Sequence, residues 1–402
     1  MKNRLKLIGC MAVLIFVFSS CNNFFGKKTN LDFLPPPNYS NKPVAYVPLQ
    51  PGIKGLQYPT DVIVGWDQLI YVADAGAQKI YSYDISGTPM SSFSIPGLTS
   101  VAQDRHLNLL AIGTMDTIIN AKKFTLSTIY RLKLDNAQGY GLQNAVIINK
   151  TVHPFYFTTG LKDLDTQTSF KHIGVMADNS YYVTRTGPSN SQTQFGGPDD
   201  AVIQFSASDV FESPIYVTGS NNAQYTNYFK KPYGIVTRAQ PPQSNSVNTS
   251  GDFIFTSVQP GFPLEVQEIN KAVDPMFGVS YKLVYYPVGD TTKASGFLYT
   301  PNKFVEPTGV TIAGDGTNYV WVVDAYKDSL YQFNGQGFEG VTPPPGYGST
   351  KNIKVSFGGL GGDFTHFDHP MAVAYYNKIV YVADAGNGRI LRFELTTDLN
   401  LK

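Results

Sequence analysis

A segment of eleven residues occurs three times in the chain, and this repetition limits the possible folds more than any other feature. Ile70–Ile80 reads IYVADAGAQKI, Val380–Ile390 reads VYVADAGNGRI, and Val320–Leu330 reads VWVVDAYKDSL. The period-2 pattern and the many aromatic and β-branched residues are typical of strands rather than helices. Each copy therefore predicts a strand that ends in Asp, a tight turn and a further strand.

Weaker copies fill the middle of the chain, and each unit starts with a strand that contains an apolar anchor residue. The six anchors are Val62, Val101, Val175, Ile235, Val310 and Val373. Most of their spacings exceed the ~40–50 residues of a propeller blade, which predicts insertions. The predicted insertions cover 136–170, 186–200, 209–230, 271–304 and 334–352. Six antiparallel four-stranded units predict an all-β fold, a six-bladed β-propeller that spans 43–397.

The end of the chain predicts how the ring closes. The last unit ends at residues 393–395 with three strands, and almost no chain follows it. A lone β-like segment, Pro43–Leu49, precedes the first unit. We predict that this N-terminal segment forms the outer strand of the last blade, which would bring both ends of the propeller close together.

The last unit also carries a resemblance to a known repeat. Val355–Val373 reads VSFGGLGGDFTHFDHPMAV, and VYVADAGNGRI follows it after a few residues. A Phe-Gly strand, a Gly-rich turn, Pro-x-small-Val and then Val-x-Asp-x-Gly-Asn-x-Arg-Ile together resemble the NHL repeat. The resemblance is strong in the last unit, good in the first and fifth, and marginal in the others. It implies the propeller fold and does not by itself decide the function.

The N-terminus has the pattern of an export signal. Three basic residues precede an apolar run over Leu7–Phe18, which is too short to span a bilayer, and Ser19-Ser20-Cys21 follows. This ending resembles the lipobox of bacterial lipoproteins, which implies cleavage before Cys21 and its acylation. We predict a lipoprotein signal peptide at 1–20 and a tether at 21–42 that starts from lipidated Cys21. The alternative is an ordinary signal peptide with an incidental cysteine.

Charge and cysteine content agree with an exported, lipid-anchored protein. The other cysteine, Cys10, lies in the removed segment, so the mature chain has no internal disulfide. Cleavage removes three of 31 basic residues against 30 acidic ones, so the net charge becomes −2. Without a basic excess we expect no nucleic-acid partner, and membrane attachment through acyl chains. Asn22 is not the Asp that favours inner-membrane retention, so we predict the outer membrane of a Gram-negative bacterium.

Equivalent positions of the strong copies hold three aspartates, Asp74, Asp324 and Asp384. They could bind a cation at a channel mouth, but Asp also favours tight turns because its carboxylate accepts backbone N–H bonds. The weak copies have Gly113, Arg185 and Ser257 at these positions, which excludes a six-fold metal ring. We therefore predict a structural role in the turns for the three aspartates.

Two further groups of polar residues are candidates for ligand binding. Arginines of the weak copies predict a mouth where a small polar ligand could bind, at Arg105, Arg185 and Arg238. Asp363, His366, Asp368 and His369 could bind zinc, although the pattern places them in a Gly-rich turn that links two blades. We predict no metal site and no cofactor.

Aromatic residues accompany the fourth unit and the insertion after it. They are Tyr225, Tyr228, Phe229, Tyr233, Tyr281, Tyr285 and Tyr286. Exposed aromatic rings could stack on sugars or on partner side chains, but aromatic residues also favour strands and blade packing. Function in repeat folds is found in loops on a rigid scaffold, so the insertions are the predicted interface.

Patterns for nucleophilic and phosphate chemistry are missing from the sequence, since it has no Gly-x-Ser-x-Gly and no phosphate-binding loop. We predict a non-catalytic cell-envelope lipoprotein, a scaffold that binds a protein or glycan partner. The alternative follows from the resemblance. Propellers related to NHL repeats include gluconolactonase-like hydrolases and lyases with a divalent metal in the central channel. Such a site needs carboxylate, Asn or His ligands from several blades, and the sequence does not assemble that set.

Overall fold

The computed structural model describes residues 43–154, 163–191, 197–218, 224–225, 228–241, 248–276, 278–284, 296–345 and 347–399. The predicted signal peptide, the tether with Cys21, and Tyr285 and Tyr286 lie outside these residues. The fold is all-β, with 52% of the residues in strands and 3% in helices. No helix of the described ranges is both long and apolar enough to cross a membrane.

Within the described ranges the secondary structure consists of strands and two 3-10 helices, Leu142–Asn144 and Asp163–Gln167. In chain order the strands are β1 Tyr46–Lys54, β2 Pro59–Val64, β3 Ile70–Asp74, β4 Lys79–Tyr83, β5 Pro89–Ser94, β6 Ser100–Gln103, β7 Leu109–Ile119, β8 Lys122–Lys133, β9 Asp135–Asn136, β10 Gly139–Tyr140, β11 Val146–Val152, β12 Ser169–Val175, β13 Tyr181–Thr186, β14 Ala201–Phe205, β15 Phe211–Pro214, β16 Val217–Thr218, β17 Gln224–Tyr225, β18 Pro232–Thr237, β19 Phe253–Ser257, β20 Val266–Asp274, β21 Gly278–Leu283, β22 Pro307–Ile312, β23 Val320–Asp324, β24 Ser329–Phe333, β25 Phe357–Gly358, β26 Pro370–Tyr376, β27 Ile379–Asp384 and β28 Arg389–Leu395.

These strands form the six blades of a β-propeller, as predicted. From the centre outward, blade 1 is β2 to β5, blade 2 is β6, β7, β8 and β11, blade 3 is β12 to β15, blade 4 is β18 to β21, blade 5 is β22 to β25, and blade 6 is β26, β27, β28 and β1. Blade 4 is wider because β16 and β17 extend it beyond β21. The inner strands β2, β6, β12, β18, β22 and β26 contact one another in turn around the ring.

The N-terminal strand closes the ring, which confirms that prediction. β1 pairs antiparallel with β28 at the outer edge of blade 6, a few residues later in the chain than predicted. The Thr396 N–H donates to the Ala45 carbonyl over 2.9 Å, so the two ends of the propeller meet. The buried Tyr46 hydroxyl accepts from Trp321 Nε1 and donates to Gln332 Oε1 in blade 5. The first strand therefore joins the last two blades.

The inner strands run in the same direction, which gives the ring two different faces. At the start of β22 the Thr308 hydroxyl donates to the Pro370 carbonyl at the start of β26. The Thr237 hydroxyl at the end of β18 donates to the Val175 carbonyl at the end of β12. We call the face where the inner strands begin the upper face, and the face where they end the lower face.

Apolar side chains fill the space between neighbouring blades and hold them together. Between blades 6 and 1, Val62 and Val72 pack with Ala374 and other buried residues. Between blades 5 and 6, the rings of Trp321 and Tyr375 stack with centroids 4.4 Å apart. Burial of each such side chain contributes about 1.5–3 kcal/mol. The middle strands are apolar on both sides because each packs between two neighbouring blades.

The anchor of blade 3 differs from the prediction. Ile173, and not Val175, is equivalent to Val62, because Ile173 lies opposite Val183 in its ladder as Val62 lies opposite Val72. Residues two apart on a strand face the same side, so an offset of two leaves the alternation unchanged. The alternation therefore could not reveal the error.

Three of the predicted insertions are in part regular blade structure. The range 136–170 contains the outer strand of blade 2, 209–230 contains that of blade 3, and 271–304 contains that of blade 4. Outer strands have a free edge and carry exposed residues, as the pattern of Val146–Val152 shows. They therefore lack the apolar pattern by which the other three strands were identified.

Candidate functional site

The inner strands surround a narrow central channel. Its cavity has a volume of about 80 Å³ and is bounded by residues of all six blades. Much of its wall is aliphatic, and the equivalent apolar residues of the blades all contribute: Val62, Val101, Ile173, Ile235, Val310 and Val373. One water molecule needs about 10–15 Å³, whereas pockets for drug-sized ligands have about 300–1,000 Å³. The channel therefore has room for a few waters and not for an organic substrate.

One carboxylate and one imidazole face this cavity from different blades. Asp61 of β2 accepts hydrogen bonds from the Val62 N–H, the Ser100 hydroxyl and the Val101 N–H. His172 Nε2 of β12 lies 3.6 Å from Asp61 Oδ2. Burial lowers the pKa of His172, although the Asp61 carboxylate acts in the opposite direction, so the imidazole is neutral at pH 7. Its buried ring nitrogens make no hydrogen bond of standard geometry with the described residues.

The channel residues do not fit a resident divalent metal ion. Asp61 and His172 are the carboxylate and imidazole of the lining, whereas catalytic sites for zinc use three protein ligands. The two Asp61 oxygens already accept three hydrogen bonds from the protein. What the channel offers is a carboxylate and an imidazole side by side in a wall that also contains polar residues such as Gln103 and Thr311.

The three turn aspartates lie at the upper face with fully buried side chains. Asp74 accepts hydrogen bonds from the N–H groups of Gln57 and Tyr58, over 2.8 and 2.9 Å, and these residues lead into the inner strand of its blade. It also accepts from the tight turn that follows it. Asp324 and Asp384 bind the corresponding segments of blades 5 and 6. Each carboxylate thus joins the turn to the start of the inner strand.

The structure does not bring the three arginines together. Arg185 is fully buried at the upper end of blade 3 and donates to the carbonyls of Pro198 and Asp199. Arg105 and Arg238 follow the lower ends of their inner strands. There Arg105 lies over the Trp66 ring, 4.7 Å from its centroid, and Arg238 pairs with Glu268. A single binding site at one mouth cannot use all three side chains.

Two exposed tyrosines and three half-buried acidic side chains gather instead on the upper face, above blades 5, 6 and 1. Tyr58 is 37% exposed and Tyr326 is 68% exposed. Burial raises the pKa of Tyr58, and the charges of Asp368 and Glu306 add to this effect. We call the following residues the upper patch: Tyr58, Glu306, Tyr326, Asp328, Asp368 and His369.

Tyr233 connects the upper patch with the channel. Its ring centroid lies 5.3 Å from that of His172. Burial raises the pKa of Tyr233, and the charges of Asp61 in the channel and Glu306 in the patch contribute. Lys171 Nζ lies 5.8 Å from the ring centroid of Tyr233. Tyr233 also packs against Ala325 and Met371, which lie within two residues of Tyr326 and His369 in the chain, so the patch adjoins the upper mouth of the channel.

Three members of the patch form a group that could hold a metal ion. The ligand atoms of Asp328, Asp368 and His369 lie within 4.8 Å of one another, and no other such group occurs among the residues described. The group contains Asp368 and His369, two of the four residues that the sequence suggested as possible zinc ligands. The other half, Asp363 and His366, forms a pair in an exposed loop with Oδ1 and Nδ1 2.8 Å apart.

Most of the described aromatic residues considered above pack inside the protein. Phe229 and Tyr281 are buried in blade 4, while Tyr225 on β17 is 48% exposed. The sequence reasoning missed Asp61, His172 and Tyr326 as site residues. A signal for Tyr326 was available, because the first and last strong copies have glycine at its position.

Known proteins share the fold of this chain. No protein-family model and no curated protein matches its sequence. The PQQ-bound aldose sugar dehydrogenase from Streptomyces coelicolor is 12% identical with a TM-score of 0.52, and the match covers 88% of this chain and 98% of that one. A Bacteroides thetaiotaomicron protein of unknown function is 13% identical, with a TM-score of 0.47 and coverage of 87% and 72%. A streptogramin B lyase is 12% identical, with a TM-score of 0.41 and coverage of 88% and 97%. Identities this low show the propeller fold and no activity.

Proposed function

We propose that this chain is a lipid-anchored, non-catalytic binding protein of the bacterial cell envelope, with a propeller of NHL-like blades. Acylation of Cys21 would hold it on the outer membrane, and the propeller would bind a glycan or protein partner at the upper patch. One observation carries the proposal: a patch of exposed tyrosines and half-buried carboxylates adjoins a channel that is too small for an organic substrate.

The chemistry of the patch favours a glycan over a protein partner. Tyr58 and Tyr326 offer exposed rings, and an amphipathic ring can pack on the apolar face of a sugar. The neighbouring carboxylates of Glu306 and Asp368 accept hydrogen bonds, and sugar hydroxyls can donate them. Phe364, which is 43% exposed beside Lys54, extends the apolar surface at the edge of blade 6.

The partner can be sought by crosslinking the lipidated protein in its own membrane and identifying the material that copurifies with it. Variants Tyr58→Ala and Tyr326→Ala should lose the partner, because each removes an exposed ring of the patch. Tyr225→Ala is the matched control, since Tyr225 is similarly exposed but lies on β17 at the outer edge of blade 4. Equal retention of the partner by all three variants would refute the patch as the binding surface.

The anchor has a separate test. The wild-type protein should incorporate a labelled fatty acid and partition with the outer membrane, whereas Cys21→Ser should remain unlabelled. Labelling that persists in Cys21→Ser, or that is missing from the wild type, would contradict the lipoprotein assignment.

A second candidate function is favoured by the Asp61–His172 pair. A neutral imidazole beside a carboxylate is a general base of the kind that hydrolases and lyases use. Because the channel residues do not fit a divalent ion, a metal-dependent enzyme would have to bind it at the group of Asp328, Asp368 and His369, and chelation would lower its melting temperature. Stability that is unchanged by chelation, with binding retained in His172→Ala, supports the binding protein.

A further inference from the structure

Blade 4 carries a β-hairpin that projects from the lower face. β20 pairs with β19 as far as Ile269, which lies opposite Phe253, and the β20–β21 ladder continues for five more residues. The tip of this hairpin is apolar and exposed: Val273 is 72%, Met276 86% and Val279 51% exposed. Val273 and Val279 lie directly opposite each other in the ladder, so they form one apolar pair next to Met276.

The base of the hairpin is fixed to the blade. The Lys271 N–H and the Asn270 side-chain amide both donate to Asp252 Oδ1, over 2.8 and 3.0 Å. The Tyr281 hydroxyl donates to Gln204 Oε1 over 2.7 Å. The propeller therefore presents the apolar tip in a defined position relative to the lower face.

The chain leaves the propeller toward its N-terminus at the same face. β1 begins at Tyr46, which lies opposite Leu395 at the lower end of β28. Between Cys21 and this strand lies the tether 21–42, which can span at most about 75 Å when fully extended. An acylated Cys21 would thus hold the protein on a bilayer by a chain that starts at the lower face.

We propose that the tip Val273, Met276 and Val279 inserts into the lipid surface to which Cys21 is attached. This inference rests on the lipid anchor of the proposed function and goes beyond it, because it assigns a second membrane contact and an orientation. A tether alone lets the propeller rotate, whereas a second attachment point on the rigid ring fixes its lower face toward the bilayer. The upper patch then faces away from the membrane.

A second hairpin with an exposed apolar tip serves as a control. It tests whether any exposed apolar residue of this protein would bind lipid. The β7–β8 hairpin of blade 2 extends beyond the upper face and exposes Ile118 by 74%. Two tips on opposite faces cannot insert into the same bilayer. The tip on blade 4 lies on the face from which the chain leaves toward Cys21, so its insertion does not require the tether to pass around the propeller. The charges of Lys271 and Lys282 are partly offset by Asp274, so insertion should depend little on anionic lipid.

The experiment places a tryptophan at each tip of the full lipidated protein. Met276→Trp and Ile118→Trp are reconstituted through their acyl chains into vesicles of phosphatidylcholine with or without brominated acyl chains. We expect bromine to quench the fluorescence of Trp introduced at 276 and not of that at 118, after subtraction of the two native tryptophans. Met276→Asp should reduce vesicle binding of the unlipidated Cys21→Ser chain at least tenfold, because a charge replaces the exposed apolar side chain that would enter the lipid.

The outcomes separate this inference from the anchor. A protein that reconstitutes through its acyl chains but shows equal quenching at both tips would overturn the insertion and leave the anchor standing. If Cys21 proves not to be acylated, vesicle binding of the Cys21→Ser chain that falls in Met276→Asp and persists in Ile118→Asp still supports insertion. Shielding of the tip by self-association, seen as a dimer in light scattering without bromine quenching, would also overturn it.

Discussion

Replacement of Arg131 by Met should destabilise the propeller more than any exposed ion pair could. Arg131 on β8 of blade 2 bridges two carboxylates: its Nε and Nη2 donate to Asp209 in blade 3, and its Nη1 donates to Asp104. The three side chains are 6%, 5% and 0% exposed. Loss of the guanidinium leaves two buried carboxylates without a cation, which costs about 3–5 kcal/mol.

The pH dependence of stability tests this role of Arg131 more specifically than the loss of stability at a single pH. Burial alone would raise the pKa of Asp209, but hydrogen bonds from Arg131, Asn149 and Tyr181 outweigh it and lower the pKa below its usual range. In the wild type this contribution is present above the unfolded pKa and is lost as the pH falls toward the folded one. In Arg131→Met the carboxylates take up protons more readily in the folded state, so the variant recovers relative stability in acid.

Thermal unfolding measured from pH 4 to pH 8 tests this reasoning. At neutral pH a loss of 3–5 kcal/mol corresponds to a decrease in Tm of about 4–7 °C for a domain of this length. The difference in Tm between the wild type and Arg131→Met should become smaller toward pH 4. Lys122→Met is the control, because it breaks a largely exposed pair with Asp163 and should cost no more than about 0.5 kcal/mol. A decrease in Tm below 1 °C, or a difference that grows in acid, would refute the account.

Three further substitutions test other parts of the fold by the same unfolding measurements. Burial raises the pKa of Glu265 to about 7, so the folded protein favours the protonated carboxyl and the stability of the wild type falls as the pH rises from 5 to 8. Glu265→Gln should remove about 1–2 kcal/mol of this decrease, after a discount for solvent screening. An unchanged slope of stability against pH would contradict this account. Gly388→Ala should cost about 2 kcal/mol or more, because φ is +61° and the new Cβ meets the Leu56 carbonyl. Gly55→Ala is the control for the backbone conformation alone, since φ is +85° and no atom lies close to the new Cβ. Equal costs of the two substitutions would show that the contact with Leu56 does not matter. Tyr46→Phe should cost about 1–3 kcal/mol, since it leaves the two buried partners of its hydroxyl in blade 5 unpaired, and a neutral effect would argue against that link.

Periodicity predicted the inner part of each blade but not its outer edge. The strands around Val62 and Val373 have buried residues in unbroken runs because they pack between neighbouring blades, and such runs are visible in a sequence. The outer strand of blade 2, Val146–Val152, contacts one strand and solvent, so its sequence is free of that constraint. The N-terminal strand was found by a different argument, because the last unit lacked a fourth strand.

The candidate site was harder to predict because it depends on contacts between distant segments. Asp61 and His172 belong to blades 1 and 3, and their sequence separation gives no indication that they meet across the channel. Arg185 was placed correctly at the position of the turn aspartates, yet its burial against backbone carbonyls could not be inferred from the sequence. The position of a residue in the repeat could thus be predicted from the sequence, whereas the direction and burial of its side chain could not.

Departures from the repeat are the better guide to function in a chain of this kind. In blades 1 and 6 the second residue after the turn aspartate is Gly76 or Gly386, and a Cβ there would collide with Gln57 or with the Asp368 carboxylate. Glycine at those positions is therefore explained by packing, because any other residue would have to displace a neighbour. Blade 5 has the same turn but places Tyr326 there, 68% exposed, and the preceding Ala325 donates its N–H to the carbonyl of Glu306 in the patch. Packing within the blade does not require an exposed ring at this position, which is why we propose Tyr326 as part of the binding surface. Tyr326→Ala should therefore weaken partner binding without lowering the stability of the propeller.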